Sequence, residues 1–403
     1  MSEVAQVPQL RFPEFSGEWE EKRFDSLYPT VRNGFVGVAT PYYVEEGVPY
    51  LQGKNIKSGA INRNGLVYIN ESFHQKSKKS QLRQNDIVMV QSGHVGECAV
   101  ITEEFEDTNC HALLVSTPTH DIDSKFYINY FYSKFGRKKI YRITTGNTIK
   151  HILSSDLKIQ TVSNPSYQEQ QKIAAFLTAV DSKIEQLSKK QELLGEYKKG
   201  LMQQIFSQAI RFRAGDTPGQ PLLPNGNSPS GSDFPNWEEK RLGDLCEITT
   251  GKLDANAMVE GGQYRFYTCA KEYYKIDDYA FDTDALIVSG NGANVGYIHH
   301  YQGKFNAYQR TYVLDSFTDN IIFVKFVLDE YLHKRIMKEK NEGNTPYIVM
   351  GTLTDMKINL PSFSEQTKIA IFLSSIDSKI EQVGKQLDES KQFKKALLQQ
   401  MFV

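Results

Sequence analysis

Residues 165–206 read PSYQEQQKIAAFLTAVDSKIEQLSKKQELLGEYKKGLMQQIF, and residues 361–402 read PSFSEQTKIAIFLSSIDSKIEQVGKQLDESKQFKKALLQQMF. The copies lie 196 residues apart, align without a gap and share roughly half of their residues. In each, apolar residues recur at alternating steps of four and three. The first series is Ile173, Leu177, Val180, Ile184, Leu187, Leu194 and Leu201; the second is Ile369, Leu373, Ile376, Ile380, Val383, Leu387 and Leu397. This is a heptad seam, and it predicts two helices that pack on one another. At 1.5 Å per residue, a helix of about 40 residues is about 60 Å long. Pro165 and Pro361 suit a helix start or the end of a preceding strand. Gln191 and Lys198, and Ser390 and Lys394, weaken the second half of each seam. A parallel pair would set Lys198 against Lys394, and like charges repel. An antiparallel pair sets each weak end against the apolar start of its partner.

The repeat extends outward from these helices. Trp19-Glu-Glu-Lys-Arg23 recurs as Trp237-Glu-Glu-Lys-Arg241, Asp86-Ile-Val-Met-Val-Gln-Ser-Gly93 parallels Asp284-Ala-Leu-Ile-Val-Ser-Gly290, and Gly146-Asn-Thr148 recurs as Gly343-Asn-Thr345. Between these anchors the copies barely resemble each other. Two matched scaffolds therefore carry two different heads. The organisation expected is a first head over 1–163, a helix over 164–210, a linker over 211–235, a second head over 236–360 and a second helix over 361–403. The junction AGDTPGQPLLPNGNSPSGSDFP, 214–235, is rich in Pro, Gly, Ser, Asn and Asp and lacks periodicity, which marks a linker.

With 403 residues, each half can bury its own core. The formal net charge of −1 excludes coating of nucleic acid by bulk electrostatics, but not a local basic face. Cys98, Cys110, Cys246 and Cys269 form no CxxC pair, so neither a disulfide framework nor a zinc ribbon is expected. Cys110-His111 and His299-His300 lack a second pair at ligand spacing, and no metal site is expected. The N-terminal stretch has no signal-peptide pattern, and the longest apolar run, 321–328, is broken by Lys325. A cytoplasmic protein is expected. Asn164-Pro-Ser-Tyr167 lacks the second proline of the adenine methyltransferase loop, and Gly290-x-Gly-x-x-x-Gly296 has the wrong spacing for a dinucleotide fingerprint. No P-loop, HExxH or GxSxG occurs. The chain is expected to catalyse nothing by itself.

Each head mixes short β-rich runs with Gly turns, predicting α/β units with a mixed or antiparallel sheet; 124–142 and 321–340 have helical patterns. Between Asp123 and Asp156 there is no acidic residue, while Lys125, Lys134, Arg137, Lys138, Lys139, Arg142 and Lys150 alternate with Phe126, Tyr127, Tyr130, Phe131, Tyr132, Phe135 and Tyr141. Such cations can neutralise phosphates. The alternative is a solvated helix face whose aromatics lie in the core. Lys76, Lys78, Lys79 and Arg83 add charge. Donor and acceptor residues in turns can read base edges. The candidates are Asn55, Lys57, Gln91, Ser92, His94, Asn147 and Lys150 in the first head, and Ser289, Asn291, Asn294, Gln309, Arg310, Asn344 and Tyr347 in the second. For any one of these, a turn former is the commoner role.

The Leu157-Lys-Ile159 run, Pro165-Ser-Tyr-Gln-Glu-Gln-Gln-Lys-Ile173 and Asp181-Ser-Lys-Ile184, all but the first repeated in the second copy, resemble the specificity subunit of Type I restriction–modification systems. The Trp-Glu-Glu-Lys-Arg and Gly-Asn-Thr repeats fit it, and the resemblance covers nearly the whole chain. It implies two mixed α/β target recognition domains separated by two long antiparallel coiled-coil helices, with pseudo-two-fold symmetry. It further implies that each domain reads one half of a bipartite asymmetric site in double-stranded DNA, and that the helices set the spacer. Two modification subunits would methylate adenine with S-adenosylmethionine, and two restriction subunits would use ATP and Mg; this chain would bind no cofactor. The rival readings are a tandem interaction scaffold that does not bind DNA, and a stand-alone DNA methyltransferase or nuclease.

Overall fold

A computed structural model describes residues 6–213, 215, 234–339 and 346–403. The chain divides into two compact units, Met1–Ser188 with Lys385–Val403, and Lys189–Gly384. Five helices carry the description: α1 (Ser124–Tyr132), α2 (Lys134–Ile143), α3 (Tyr167–Phe206), α4 (Ile321–Glu339) and α5 (Phe363–Gln400). The two long helices begin two residues after Pro165 and Pro361. Each proline follows a strand, Thr161–Asn164 or Lys357–Leu360, which pairs antiparallel with the strand after the repeated tryptophan, Glu20–Arg23 or Glu238–Arg241.

In the first unit an antiparallel sheet runs in the order Thr30–Asn33, Leu113–Thr117, Ile87–Val90, Cys98–Val100. A second four-stranded sheet, centred on Val48–Leu51 and Val67–Ile69, includes one parallel pairing, to Asn109–Cys110. In the second unit one six-stranded sheet does the same work. Its long hairpin, Phe281–Ser289 with Ile298–Ala307, is flanked by Thr311–Asp315 on one side and by the parallel Tyr264–Tyr267 on the other. Both heads are therefore mixed α/β, as the pattern of short runs predicts.

The stretch 124–142 is not one helix. Ser133 leaves helical geometry at ψ 166 and its Oγ accepts the Gly136 N–H, starting α2 afresh. Gly136 sits so close to Tyr130 that a Cβ would lie 2.0 Å from the Tyr130 carbonyl oxygen. The interleaved aromatics divide accordingly. Phe126, Tyr127, Tyr130 and Phe131 are buried in the core, Tyr132 and Phe135 are half-buried, and Tyr141 is 78% exposed. The counterpart in the second unit, α4, is continuous.

The apolar seam positions are buried or half-buried. Ile173, Leu177 and Leu187, and Ile369, Leu373, Ile376, Val383, Leu387 and Leu397, are all at most 5% exposed; Val180, Ile184, Leu194, Leu201 and Ile380 are half-buried. In the first unit Ile173 and Leu177, at the start of α3, share a core with Leu397, Met401 and Phe402 at the end of α5. In the second unit Met202, Ile205 and Phe206, at the end of α3, share one with Ile369, Leu373 and Ile376 at the start of α5. The helices are antiparallel in both. The two lysines that weaken the seam have a role of their own. Lys394 pairs with Asp181 at 2.5 Å, and Lys198 pairs with Asp377 at 2.6 Å. Asp181 and Asp377 are equivalent positions of the repeat, as are Lys198 and Lys394, so one ion pair is made twice.

The Pro-Ser-x-x-Glu-Gln motif is explained by the same duplication. Ser166 and Ser362 accept the N–H of Glu169 and Glu365, an N-cap three residues ahead. Gln170 accepts the Asp123 N–H, and Gln366 the Asn320 N–H, tying each long helix to the start of a head helix. Glu169 and Glu365 are at most 1% exposed. Each receives a two-pronged contact, from Arg11 (2.7 and 2.8 Å) or Arg211 (3.1 and 2.7 Å). Arg211 and Phe212, assigned above to a linker, are therefore packed residues: Phe212 is 2% exposed against Phe372. Of the junction, 214 and 216–233 lie outside the described residues. Leu10-Arg11-Phe12 and Ile210-Arg211-Phe212 are a further repeat that the sequence reading missed. Leu10 N–H donates to Gln400 O, and Ile210 N–H to Gln204 O, the same place in the other helix. Trp19 closes the first of these clusters against Phe126 and Phe402. Trp237 lies against Phe323 in the second and donates Nε1–H to Glu365.

Removing one partner of a buried pair leaves an uncompensated charge and costs about 3–5 kcal/mol. Arg211→Met and Arg11→Met are each expected to lower the thermal unfolding midpoint by roughly 10 °C. The double change Arg211→Met with Glu365→Met should recover much of that loss, because both charges leave together. Differential scanning calorimetry checks this; an unchanged midpoint in Arg211→Met would refute the role assigned to the pair.

Candidate nucleic-acid interface

In each head the sheet ends in a cluster of turns. In the first, Ile87–Val90 runs into Gln91-Ser-Gly-His-Val-Gly96, which returns with Gly96 N–H bonded to Val90 O. The segment after α2 lies alongside: Ser92 bridges His151, Gly93 N–H donates to Lys150 O, and Ile152 N–H donates to Gln91 O. The second head repeats this. Gly296 N–H bonds Ser289 O, Asn291 bridges Tyr347, and Ile348 N–H donates to Gly290 O. Backbone bonds set the geometry, so side chains at these turns can differ without changing the frame. Gly96 and Gly296 adopt φ +82° and +81°, and each lies against a helix isoleucine, Ile140 or Ile336.

The first head's turns enclose a groove of about 950 Å³. It is lined by the 53–58 turn, by Gly93 to Val95, and by Arg137, Lys138, Ile140, Tyr141, Thr144 and Lys150. The exposed cations Lys54, Lys57, Lys138 and Lys150 face it with His94. Ser92 and Asn147 are exposed on the adjoining segments, and Gln91 is half-buried. Of the sequence candidates, Lys57, His94, Arg137, Lys138 and Lys150 are thus brought together. Lys54 and Tyr141 were not among the candidates: Lys54 adjoins the candidate Asn55, but nothing marked Tyr141 out from the buried aromatics of its stretch.

Several candidates have other roles. Asn55 is fully buried, accepts the Gln52 N–H and donates to Asn62 O, so it holds the turn. Lys139 donates to Glu21 (2.7 Å) and Thr161 O (2.8 Å), tying α2 to the first strand pair. Arg137 is bound to Glu97 and to Gly96 O. Lys78 and Lys79 line a different hollow, of about 520 Å³, with Asn33, Gly34 and Phe35.

Glu97, which the sequence reading also missed, accepts three bonds: Ser58 N–H at 2.7 Å, Tyr132 hydroxyl at 2.9 Å and Arg137 at 2.9 Å. Burial opposes its charge, but the bonds from Ser58, Arg137 and Tyr132 outweigh burial and hold the carboxyl below its usual range.

In the second head Asn291, Asn294, Gln309, Arg310 and Tyr347 gather about the same turns. Gly290 N–H donates to Arg310 O, Asn294 donates to Cys269 O, and Gln309 donates to Asp254. Tyr347 is 58% exposed, and Arg310 is exposed. Ser289 is fully buried at the strand end, where it cannot meet a ligand. Asn344 lies outside the described residues. The cation prominent here is Arg265, which the sequence reading did not single out. It lies 4.3 Å from the Tyr273 ring and 4.2 Å from the Tyr301 ring, and donates to the Tyr267 hydroxyl. The two heads thus present different chemistry on one frame.

Nothing in this arrangement gathers a metal or a nucleophile. Among the described residues no group of three His, Cys, Asp or Glu side chains could hold a metal ion. Burial pushes the thiols of Cys98, Cys110 and Cys246 up to about 12. His299 and His300 point apart: His299 meets Ala270 O, and His300 meets Asp284 at 2.7 Å. Among the described residues no helix is long and apolar enough to cross a membrane.

The family described as "Type I restriction modification DNA specificity domain" matches residues 16–194 and 235–389. The specificity subunit of the Escherichia coli Type I restriction enzyme EcoDI is 41% identical over 167 residues, which span 40% of this chain and 37% of that protein. The MjaVIII specificity subunit of Methanocaldococcus jannaschii is 23% identical over 96% of this chain and 92% of its own length. In three dimensions the chain resembles the specificity subunit of a Type I system from M. genitalium, with TM-score 0.65, 20% identity, and 98% and 99% of the two chains covered.

A Cβ on Gly96 would lie 2.8 Å from Ile140 Cγ2, at a φ that costs a side chain roughly 1–2 kcal/mol. A Cβ on Gly93, at φ +81°, meets nothing within 4 Å. Gly96→Ala should therefore destabilise more than Gly93→Ala, and urea unfolding of the two variants reads the difference. Equal losses would show that Gly96 serves the turn alone and not its packing on α2.

Proposed function

The chain belongs to the Type I restriction–modification DNA specificity family, and from that membership we propose that it is the non-catalytic subunit that gives such a complex its DNA address. Each head would read one half of a bipartite, asymmetric site in double-stranded DNA. Modification subunits, two per chain, would methylate adenine using S-adenosylmethionine. Restriction subunits, also two, would use ATP and Mg. None of these groups would be held by this chain. The paired helices would set the length of the unread spacer.

One observation carries this reading: a scaffold built twice, to the level of the same buried ion pairs, bears two turn clusters of unlike chemistry. Duplicated scaffolding suits two copies of one partner. Unlike heads suit two unlike half-sites. The chemistry of the turns agrees with the assignment. Lys54, Lys57, Lys138 and Lys150 can neutralise phosphates along the first head's groove, and His94, Ser92 and the second head's Asn291, Asn294, Gln309 and Arg310 can meet base edges in the major groove, where all four base pairs are distinguishable.

The decisive experiment expresses this chain with its modification subunit in a host free of adenine methylation, followed by sequencing with base-modification detection. A single bipartite motif with a fixed gap is expected, absent when this chain is omitted; replacing residues 26–163 by another head should change one half of the motif. Methylation without sequence preference, or none from a complex that forms, would sink the reading.

Phosphate and base contacts separate in binding assays. Lys138→Ala and Lys150→Ala should weaken binding to all sequences alike and lower the slope of log affinity against log salt by about 1 each. His94→Ala or Ser92→Ala should instead cost about 1–3 kcal/mol at one base position and leave the slope nearly unchanged. Fluorescence anisotropy at several salt concentrations reads both; an unchanged slope in both lysine variants would remove the groove from the interface.

A further inference from the structure

In the first head, three elements distant in sequence converge on the Glu97 carboxylate. Ser58 N–H and the Tyr132 hydroxyl donate to Oε2, and Arg137 donates to Oε1. Tyr132 extends the cluster: its hydroxyl accepts Gly59 N–H at 2.9 Å, and its ring lies 4.4 Å beneath the Arg137 guanidinium. Arg137 also donates to Gly96 O. One carboxylate thereby joins the 53–59 turn, the 91–97 loop, and helices α1 and α2.

Ser58 and Gly59, at φ +53° and +86°, are the two turn residues of the hairpin that pairs Ile56–Lys57 with Ala60–Ile61, a tight turn that takes positive φ at both positions. The hairpin sets the shape of the turn; its place against the 91–97 loop is set by the Ser58 N–H bond to Glu97 and the Gly59 N–H bond to Tyr132. The neighbouring Lys57 projects into the groove beside His94 and Val95 of the other loop. A bare carboxylate in such a groove would repel phosphate. Here Arg137 neutralises it, and Lys54, Lys57, Lys138 and Lys150 remain to face a ligand. The second head has no counterpart, since the position that closes its hairpin in the same way, bonded to Ser289 N–H as Glu97 is to Val90 N–H, is Tyr297.

We propose that Glu97 is a positioning residue for sequence reading by the first head: it fixes the Lys57-Ser58 turn relative to the Ser92–His94 loop without itself contacting DNA. The proposal rests on the recognition function given above. Its prediction is specific, because loss of Glu97 should blur one half of the site and leave the other half intact.

The test uses Glu97→Gln and Tyr132→Phe in the complex with the modification subunit. Glu97→Gln keeps the side-chain shape but loses the charge that pairs with Arg137. Tyr132→Phe keeps that pair and removes the hydroxyl, and it decides the matter if Glu97→Gln does not assemble. Two readouts are taken: hydrogen exchange of residues 53–60 and 91–97, and the methylated motif. Exchange is expected to quicken about tenfold in both segments. Preference for the first-head half-site over its single mismatches should fall about tenfold, with the second half and the gap unchanged. A uniform fall in methylation with the motif intact would make Glu97 merely structural and overturn the proposal. An unchanged preference despite faster exchange would overturn it too. A wild-type complex that yields no bipartite motif would overturn the recognition function, and this proposal with it; a wild-type motif that both variants reproduce would overturn this proposal alone.

Discussion

A carboxylate buried at the start of each long helix constrains everything built around it. Glu169 and Glu365 are removed from water, and an isolated buried charge would cost several kcal/mol. The compensating arginine comes from neither the same helix nor a head sheet. Arg11 and Arg211 lie on short segments docked on the end of the opposite long helix, through Leu10 N–H to Gln400 O and Ile210 N–H to Gln204 O. A helix start can therefore be completed only when the other helix's end is beside it. That requirement, more than the heptad seam, selects the antiparallel arrangement, since a seam of leucines would tolerate either direction. The ion pairs Lys198–Asp377 and Lys394–Asp181 add the same preference further along each seam.

The repeat is deeper in space than in letters. The heads share almost no sequence between their anchors, yet Gly96 meets Ile140 as Gly296 meets Ile336. Each turn cluster is closed by the same antiparallel bridge, Ser92 to His151 or Asn291 to Tyr347. Backbone N–H and C=O groups make these contacts, and any side chain can accompany them. A frame held by backbone bonds is free to change its surface residues, which is what a recognition module requires.

This also explains what could be read beforehand. The helices, their seams and the mixed α/β character follow from periodicity and repeat, and the antiparallel choice could be read from the clash of Lys198 with Lys394 that a parallel pair would create. The Ser-x-x-Glu-Gln motif was visible, but its meaning was not, because the arginine that answers Glu169 is 158 residues away. The charged stretch 124–150 misled in part for the same reason: periodicity cannot say that Lys139 turns to Glu21 and Arg137 to Glu97 while Lys138 between them faces the groove. Asn55 looked like a base reader because asparagine suits both tasks, and only its complete burial shows that it holds the turn. A single acidic residue among basic turns, Glu97, was the one sequence signal that could have led to the cluster around it.

The difference between the heads bears on what one chain can recognise. In the first head the arginine nearest the turns is neutralised by a carboxylate, and lysines on flexible stems supply the positive charge of the groove. In the second, Arg265 lies against the rings of Tyr273 and Tyr301 and donates to the Tyr267 hydroxyl, so its charge serves the aromatic cluster. Asparagine, glutamine and Arg310 stand at its turns, with the exposed Lys252 and Lys271 on the adjoining segments. Phosphate attraction depends on mobile cations, whereas base reading depends on donors and acceptors at fixed positions. The first head thus gathers its cations around one groove, whereas the second sets an arginine among aromatic rings, so a scaffold built twice carries two surfaces of unlike chemistry.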